Sequence, residues 1–285
     1  MTGVALTLVL VSAFIHATWN LVLKQAGAGL PFQWLFSVLS IAIYAPLALV
    51  VVFTQHPHIS GVALTFIVGS GVLHAAYFIL LGNGYRAGDL SLVYPLARGI
   101  GPLLASAGAI AIFHERPTGI ALAGTVLIVA GALVLAGNPR ALRASGSRAA
   151  GFAVLTGAVI AGYTLWDKEA VSGLGIPPIL YFWTAFWFEL AIVTPGAVRR
   201  WDDVRLAWRR HRNAALAVAM LSPLSYILVL TALTLSPVSY VAPAREIGVL
   251  IGAIMGLRLL SEEHRRRRIT AAGVMLVGIV ALALR

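Results

Sequence analysis

Three ionisable residues lie within long apolar stretches of the sequence. Arg98 follows Tyr94-Pro95-Leu96-Ala97, and the pair Arg245 and Glu246 follows Val241-Ala242-Pro243-Ala244. A charged group at bilayer depth costs about 2.5–3.5 kcal/mol even on insertion scales, so it normally faces a cavity or a partner. In one interpretation the arginines hold a carboxylate or phosphate in a central cavity. In the other they satisfy carbonyls that the nearby prolines free, or extend to the membrane interface.

Glu246 adds an acidic group to the two basic ones, a combination that suits a zwitterion such as an amino acid. Glu189 is the single acidic residue of the aromatic stretch 181–189. An isolated carboxylate in such a stretch is either protonated and hydrogen-bonded or a proton-coupling site. Both interpretations of Glu189 stay open.

Polar and aromatic side chains on other apolar segments complete the predicted site. On the first segment Trp19 and Asn20 share a helical face with His16, and on the third His74 and Tyr77 share one. A single histidine in a helix bundle is more often packed and hydrogen-bonded than a ligand, so cavity-lining roles are a hypothesis. The predicted substrate-binding set is Arg98, Arg245, Glu246, Trp19, Asn20, His74, Tyr77, Tyr94 and Tyr226, with Glu189 as the coupling candidate.

The composition of the chain indicates the class of structure that must position these residues. The 285-residue chain is 60% hydrophobic and 11% charged, against roughly 25% charged residues in an ordinary soluble domain. A soluble fold could not cover so much apolar surface, whereas lipid removes that requirement. The net charge of +11 comes largely from clusters at 199–212 and 265–268 between apolar runs, which is typical of cytoplasmic loops rather than of nucleic-acid binding. The absence of cysteine excludes disulfides and thiolate metal sites.

Apolar runs of the required length recur along the chain. A bilayer needs roughly 20 apolar residues per helix, and turn or charge signals separate the runs. The sequence therefore predicts an all-α integral membrane protein with about ten transmembrane helices, nine and eleven remaining open. The segments are 2–23, 33–53, 62–83, 90–112, 118–137, 150–171, 178–198, 213–235, 238–260 and 268–284.

The two halves of the chain repeat. One offset of 147 residues, which also carries Asn20 onto Asp167, relates three pairs of landmarks: Trp19 and Trp166, Arg98 and Arg245, Glu115 and Glu262. Five helices per repeat is an odd number, so the second repeat must enter the membrane inverted. We therefore expect a first repeat at 1–138, a basic linker at 139–149 and a second repeat at 150–285.

Loop charges agree with the inversion. The loop after the second segment has no Lys or Arg, whereas its counterpart, the polar linker 199–213 after the seventh, carries six arginines. Because basic loops stay in the cytoplasm, equivalent loops of opposite bias lie on opposite faces. The odd-numbered loops hold most basic residues, which predicts that both termini face outward.

Several motifs resemble the EamA family of the drug/metabolite transporter superfamily. They are His16-Ala17-Thr18-Trp19-Asn20, the run from Gly88 to Arg98, and Ile112-Phe113-His114-Glu115-Arg116-Pro117, which Ser261-Glu262-Glu263 echoes without the proline. The resemblance implies a ten-helix, two-repeat transporter with a central cavity, often an exporter of amino acids or related metabolites and often driven by protons.

These observations together predict a secondary transporter, an exporter in the cell inner membrane, that moves a small polar metabolite by alternating access. We expect a small-molecule substrate, the bilayer and protons as partners, no nucleic acid, no cofactor and no metal, in a monomer or homodimer. One alternative is export of hydrophobic cations or drugs, which the two arginines would repel. Another is a membrane-embedded enzyme or lipid-head-group-handling protein, but no nucleophile–base pair or metal set supports chemistry, so we do not expect an enzyme.

Overall fold

The computed structural model describes residues 1–26, 29–87, 90–136, 146–251 and 265–284, and within them the regular structure is helical, with no strand. Helical backbone resumes at residues 247–251, after a turn at Arg245 and Glu246. The helices with described bounds are α1 Gly3–Gln25, α2 Leu30–Gln55, α3 Gly61–Ala87, α4 Leu90–Ile112, α5 Gly119–Ala136, α6 Gly146–Lys168 with its π-helical extension Glu169–Gly173, α7 Pro178–Val198, α8 Trp201–Leu235, α9 Val238–Ala244 and α10 Arg265–Ala283.

Several of these helices are long and apolar enough to cross a membrane. Six described helices meet that criterion: α1, α2, α3, α6 with its extension, α7 and α8. Shorter apolar stretches lie within α4, α5 and α10. Large hydrophobic side chains face outward, as at Phe53 and Ile112, which are 71% and 62% exposed. An outer surface of this kind needs lipid, so the predicted membrane-protein class is confirmed.

The helix contacts come in related sets. α1 packs against α8 and α3 against α6; α2 packs against α8 and α3 against α7; α5 packs against α10, and α2 also packs against α7. At the α5–α10 crossing, a Cβ on Gly124 would lie 2.6 Å from the carbonyl oxygen of Gly278, and a Cβ on Gly278 would lie 2.7 Å from that of Gly124. Only glycine permits so close an approach of two backbones, the usual way in which helices associate in lipid.

The arginine-rich stretch before the eighth predicted segment differs from expectation. It was predicted as a polar linker at 199–213, but α8 already begins at Trp201 and is kinked at His211, where φ is −131° and ψ is 25°. The ring of Trp201 lies 5.4 Å from that of Trp34, and Val204 is buried. Because these apolar residues are three apart, they form one helical face against the bundle while the arginines remain outside. The ninth predicted segment, 238–260, extends beyond the described residues.

Candidate functional site

An ion pair joins the two halves of the chain in the interior. Arg98, on α4, donates from Nε to Oε2 of Glu246 at 2.9 Å, and the two side chains are 4% and 3% exposed. Glu246 lies in the turn that follows α9. Because an unpaired charge at this depth is costly, the two groups stabilise each other as arginine cation and carboxylate. The carboxylate that Arg98 contacts is therefore one of the protein's own, from the second half of the chain.

Arg245 occupies a different environment from its repeat mate. It is half-buried in the same turn, and its guanidinium carbon lies 5.3 Å from the centre of the Tyr226 ring. At this distance the ring of Tyr226 and the guanidinium of Arg245 form a cation–π contact. Among the described residues no carboxylate pairs with Arg245. The paired Arg98 and Glu246 cancel, so Arg245 carries the remaining positive charge of this cluster.

A small cavity adjoins the arginines. His16 of α1, Arg98, Tyr226 of α8 and Arg245 are among the residues that line it. Its volume is about 10 Å³, about the room that one water molecule needs. The cavity is therefore too small, as the structure stands, for a molecule larger than water.

Asp167 forms the second polar centre. Its side chain, on α6, is fully buried, and its two carboxylate oxygens accept hydrogen bonds from the hydroxyls of Tyr181 at 2.6 Å and Tyr226 at 2.5 Å. Nε2 of His74 lies 4.0 Å from Oδ2. Tyr226 thus connects the two centres, because its ring contacts Arg245 while its hydroxyl contacts Asp167.

Aromatic rings enclose His74, on α3. Tyr163 of α6 stacks on the imidazole with ring centres 4.5 Å apart, and Tyr226 and Phe182 approach it edge-on at 5.2 and 6.1 Å. Tyr77 joins this group through an edge contact with Tyr163 at 6.1 Å. The predicted residues His74, Tyr77 and Tyr226 therefore lie together.

Sequence reasoning did not include Asp167, Tyr163 or Tyr181 in the site. For Asp167 a signal existed, since it is the repeat mate of Asn20 and follows the apolar run within the sixth predicted segment. The two tyrosines had none, because their helices carry several aromatic residues and only packing shows which of them face the carboxylate.

The other predicted residues lie at the edge of this cluster or outside it. Trp19 donates from Nε1 to Oγ of Ser225 at 3.3 Å, next to Tyr226 in the sequence of α8. Asn20 donates to the carbonyl of His16 at 2.7 Å, within its own helix. Glu189 is 2% exposed and accepts a hydrogen bond from Nε2 of Gln33 on α2 at 3.2 Å. The side chain of Tyr94 lies outside the described residues.

A proline shapes the segment of α8 that carries Tyr226. Pro223 lacks an N–H, so the carbonyl of Ala219 has no helical partner. The hydroxyl of Ser40 on α2 lies 3.1 Å from that carbonyl and 2.7 Å from the carbonyl of Phe36 in its own helix. Ser12 of α1 donates to the carbonyl of Ser225 at 2.6 Å. Neighbouring helices thus contact the backbone of this segment and help to hold it, with Tyr226, in place.

A carboxylate from the other half begins α9, the helix before Arg245. Oε1 and Oε2 of Glu115, after α4, accept hydrogen bonds from the N–H groups of Val238 at 2.8 Å and Ser239 at 2.9 Å. Negative charge at a helix N-terminus satisfies donors that have no partner within the helix and opposes the helix dipole. The loop that follows α4 therefore helps to position Arg245 and Glu246. No group of three or more metal-ligating side chains occurs in the described part of the chain.

The sequence model of the EamA-like transporter family matches residues 3–137, which confirms the resemblance that the motifs indicated. No curated protein matches the chain. A solved crystal structure superposes on 100% of this chain and 97% of its own, with a TM-score of 0.71 at 14% sequence identity. At that identity the likeness concerns the fold alone.

Proposed function

We propose that this protein is a secondary transporter whose substrate is a small anionic or zwitterionic metabolite such as an amino acid; the match of residues 3–137 to the EamA-like transporter family supports the transport role. The observation that best supports this proposal is the balance of charges in the interior. Arg98 is neutralised by Glu246, while Arg245 faces the cavity with no carboxylate partner among the described residues. A guanidinium with free N–H groups binds a carboxylate by two parallel hydrogen bonds.

A zwitterion finds both of its partners near Tyr226. Its carboxylate would bind the guanidinium of Arg245. Its ammonium group would face the carboxylate of Asp167 and the surrounding aromatic rings. Tyr226 contacts both groups, so one small molecule beside that ring would reach them together. The predicted wall residues Trp19, His74 and Tyr77 border the same region, and Asn20 and Tyr94 keep their predicted roles as part of this proposal.

Transport would occur by alternating access between two inverted repeats at 1–138 and 150–285, joined by the basic linker 139–149. The helix contacts support this arrangement. Exchanging α1 with α6, α2 with α7, α3 with α8 and α5 with α10 converts the α1–α8 contact into α6–α3 and the α2–α8 contact into α7–α3. The α2–α7 and α5–α10 contacts convert into themselves, as contacts across a pseudo-two-fold axis must.

The small volume of the cavity fits a stage of such a cycle before rocking of one half against the other opens the site. Export across the cell inner membrane is the direction and location that the family resemblance implies. Both belong to the proposal.

Ligand-dependent thermal stability tests the proposal. The purified protein is screened in detergent against amino acids, organic acids, phosphonates and amines, because a ligand that binds only the folded state raises the Tm. We expect an anion or zwitterion to raise the Tm and Arg245→Ala to remove that rise. Arg205→Ala, on the exposed part of α8, is the matched control and should leave the rise intact. Stabilisation that survives Arg245→Ala would refute the proposed site.

Export of organic cations is the second candidate. Asp167 favours it, since a buried carboxylate among aromatic rings is a typical cation site. In that case amines alone would raise the Tm, and Asp167→Asn rather than Arg245→Ala would remove the rise.

A further inference from the structure

The first part of α8 extends beyond what a bilayer needs. The helix runs from Trp201 to Leu235, 35 residues in all, and at 1.5 Å per residue such a length spans about 52 Å. The hydrocarbon core is about 30 Å thick and takes roughly 20 residues. The residues after the kink at His211 already suffice to cross it. The part before the kink, residues 201–210, therefore lies outside the hydrocarbon and is the surface helix.

The surface helix is anchored at one end of the bundle. Val204 is buried in a cluster with Leu35 and Ala197, and the ring of Trp201 lies 5.4 Å from that of Trp34. Leu35 and Trp34 lie near the start of α2, and Ala197 lies near the end of α7. The surface helix thus packs where one membrane helix begins and another ends, which is the boundary between membrane and water.

Apolar side chains of the surface helix remain exposed after this packing. Trp208 is 40% exposed and Leu206 is 45% exposed. Tryptophan rings concentrate at the level of the lipid headgroups, because one side of the ring is apolar and the indole N–H is polar. A helix that lies in the interface buries such side chains among headgroups and upper acyl chains.

Three arginines around the kink have no acidic partner within the described part of the chain. Arg209, Arg210 and Arg212 are exposed, and none of the ion pairs between described residues includes them. The nearest acidic side chains in the sequence belong to the start of the surface helix, where Asp202 lies 4.0 Å from Arg205. Guanidinium groups bind phosphate by two parallel hydrogen bonds, so the three arginines form a surface that suits anionic phosphate groups.

We propose that Arg209, Arg210 and Arg212, with Trp208 beside them, bind the headgroups of anionic phospholipids. The arginines bind the phosphates, and the ring of Trp208 packs on the upper acyl chains. The occupant is lipid rather than a soluble partner because the same helix enters the bilayer directly after these arginines, so headgroups are the anions that surround them. This lipid site does not rest on the proposed transport function.

Quenching of tryptophan fluorescence by brominated lipids tests the site. The full chain is placed in nanodiscs of phosphatidylcholine that contain a rising fraction of brominated phosphatidylglycerol or, in a parallel series, of brominated phosphatidylcholine. The chain has seven tryptophans, so the difference between wild type and Trp208→Phe isolates the emission of Trp208. We expect half-maximal quenching at an at least about fivefold lower fraction of the anionic lipid, the effect of one arginine near an anionic surface. Equal quenching by the two lipids would assign the arginines to another acidic partner and overturn the proposal.

Matched variants separate the site from net charge. One variant replaces the three arginines around the kink with glutamine and should remove the preference for the anionic lipid. Its control removes three exposed arginines elsewhere and should retain the preference: Arg86→Gln, Arg116→Gln and Arg148→Gln. All six side chains are exposed, so both variants should fold, which helical circular dichroism checks. Equal loss of the preference in the two variants would show that net charge alone attracts the lipid and would overturn the proposal.

Inorganic phosphate and salt distinguish a lipid site from a site for a soluble anion. Phosphate added at constant ionic strength should leave the preference unchanged, because it offers no acyl chain to Trp208. Loss of the preference on addition of phosphate would identify a soluble-anion site and overturn the proposal. Raising the salt from about 0.1 M to about 1 M shortens the screening length from about 10 Å to about 3 Å and should weaken the preference. A preference that salt does not change would contradict binding through the exposed arginines.

Discussion

Removing one member of the Arg98–Glu246 pair should destabilise the protein far more than removing both. The charges lie about 4 Å apart, and at an effective dielectric constant of about 20 their attraction is about 4 kcal/mol. At 4% and 3% exposure, water cannot replace a lost partner, so Glu246→Gln or Arg98→Met alone should lower the free energy of unfolding by about 3–5 kcal/mol. The double variant leaves no unpaired charge and should cost clearly less than the sum of the two.

The assay is a double-mutant cycle measured by reversible unfolding in mixed micelles, with helical circular dichroism as the readout. Asp202→Asn is the control. Its side chain is 99% exposed and lies 4.0 Å from Arg205, an arrangement that contributes little to stability. If the single variants cost no more than this control, or if their costs simply add, then the two residues do not form a buried ion pair and the charge balance that singles out Arg245 is wrong.

Three other predictions concern packing, capping and topology. Gly124→Leu should lower the free energy of unfolding by about 1–3 kcal/mol or more, because the new side chain meets the backbone of α10. Gly162→Ala, at a position with open space around it, is the control. Equal stability of the two variants would contradict the close crossing of α5 and α10. Glu115→Gln should lower the free energy of unfolding by about 1–2 kcal/mol, since the single amide oxygen can replace only one of the two carboxylate oxygens that cap α9. Faster hydrogen exchange at the start of α9 would localise the loss, and unchanged exchange would count against the cap. Single cysteines at His58→Cys and Arg209→Cys, in a chain without any, should react with an impermeant maleimide from opposite faces of the membrane; labelling from the same face would rule out inverted five-helix repeats.

The sequence was informative where burial in lipid acts on composition. Runs of about 20 apolar residues predict helices because the bilayer demands internal hydrogen bonding along such a length. Arg98, Arg245 and Glu246 were conspicuous because ionisable groups within apolar runs are costly and normally face a partner or a cavity. The arginine-rich start of α8 was missed because a short amphipathic helix at the edge of the bundle resembles a polar linker until Trp201 and Val204 find their contacts.

Two buried carboxylates show that the sequence alone does not reveal which side chains meet in the bundle. Glu189 stands alone among apolar residues, whereas Asp167 is followed by Lys168 and Glu169, and these surroundings do not show which contacts either carboxylate makes. Packing places Glu189 beside the neutral amide of Gln33 and Asp167 beside two tyrosine hydroxyls and His74. That difference depends on which face of each helix turns inward and on which helix lies opposite.

The sequence by itself determined that this chain lies in a membrane, where its helices run and which residues carry charge at depth, since each follows from the local cost of exposing polar groups to lipid. Only the tertiary structure decided which charges neutralise one another. The partners Arg98 and Glu246 are 148 residues apart, and Tyr226 reaches Asp167 across 59. Contacts at such separations depend on the packing of whole helices, because no local preference of the chain specifies which side chains meet across the bundle.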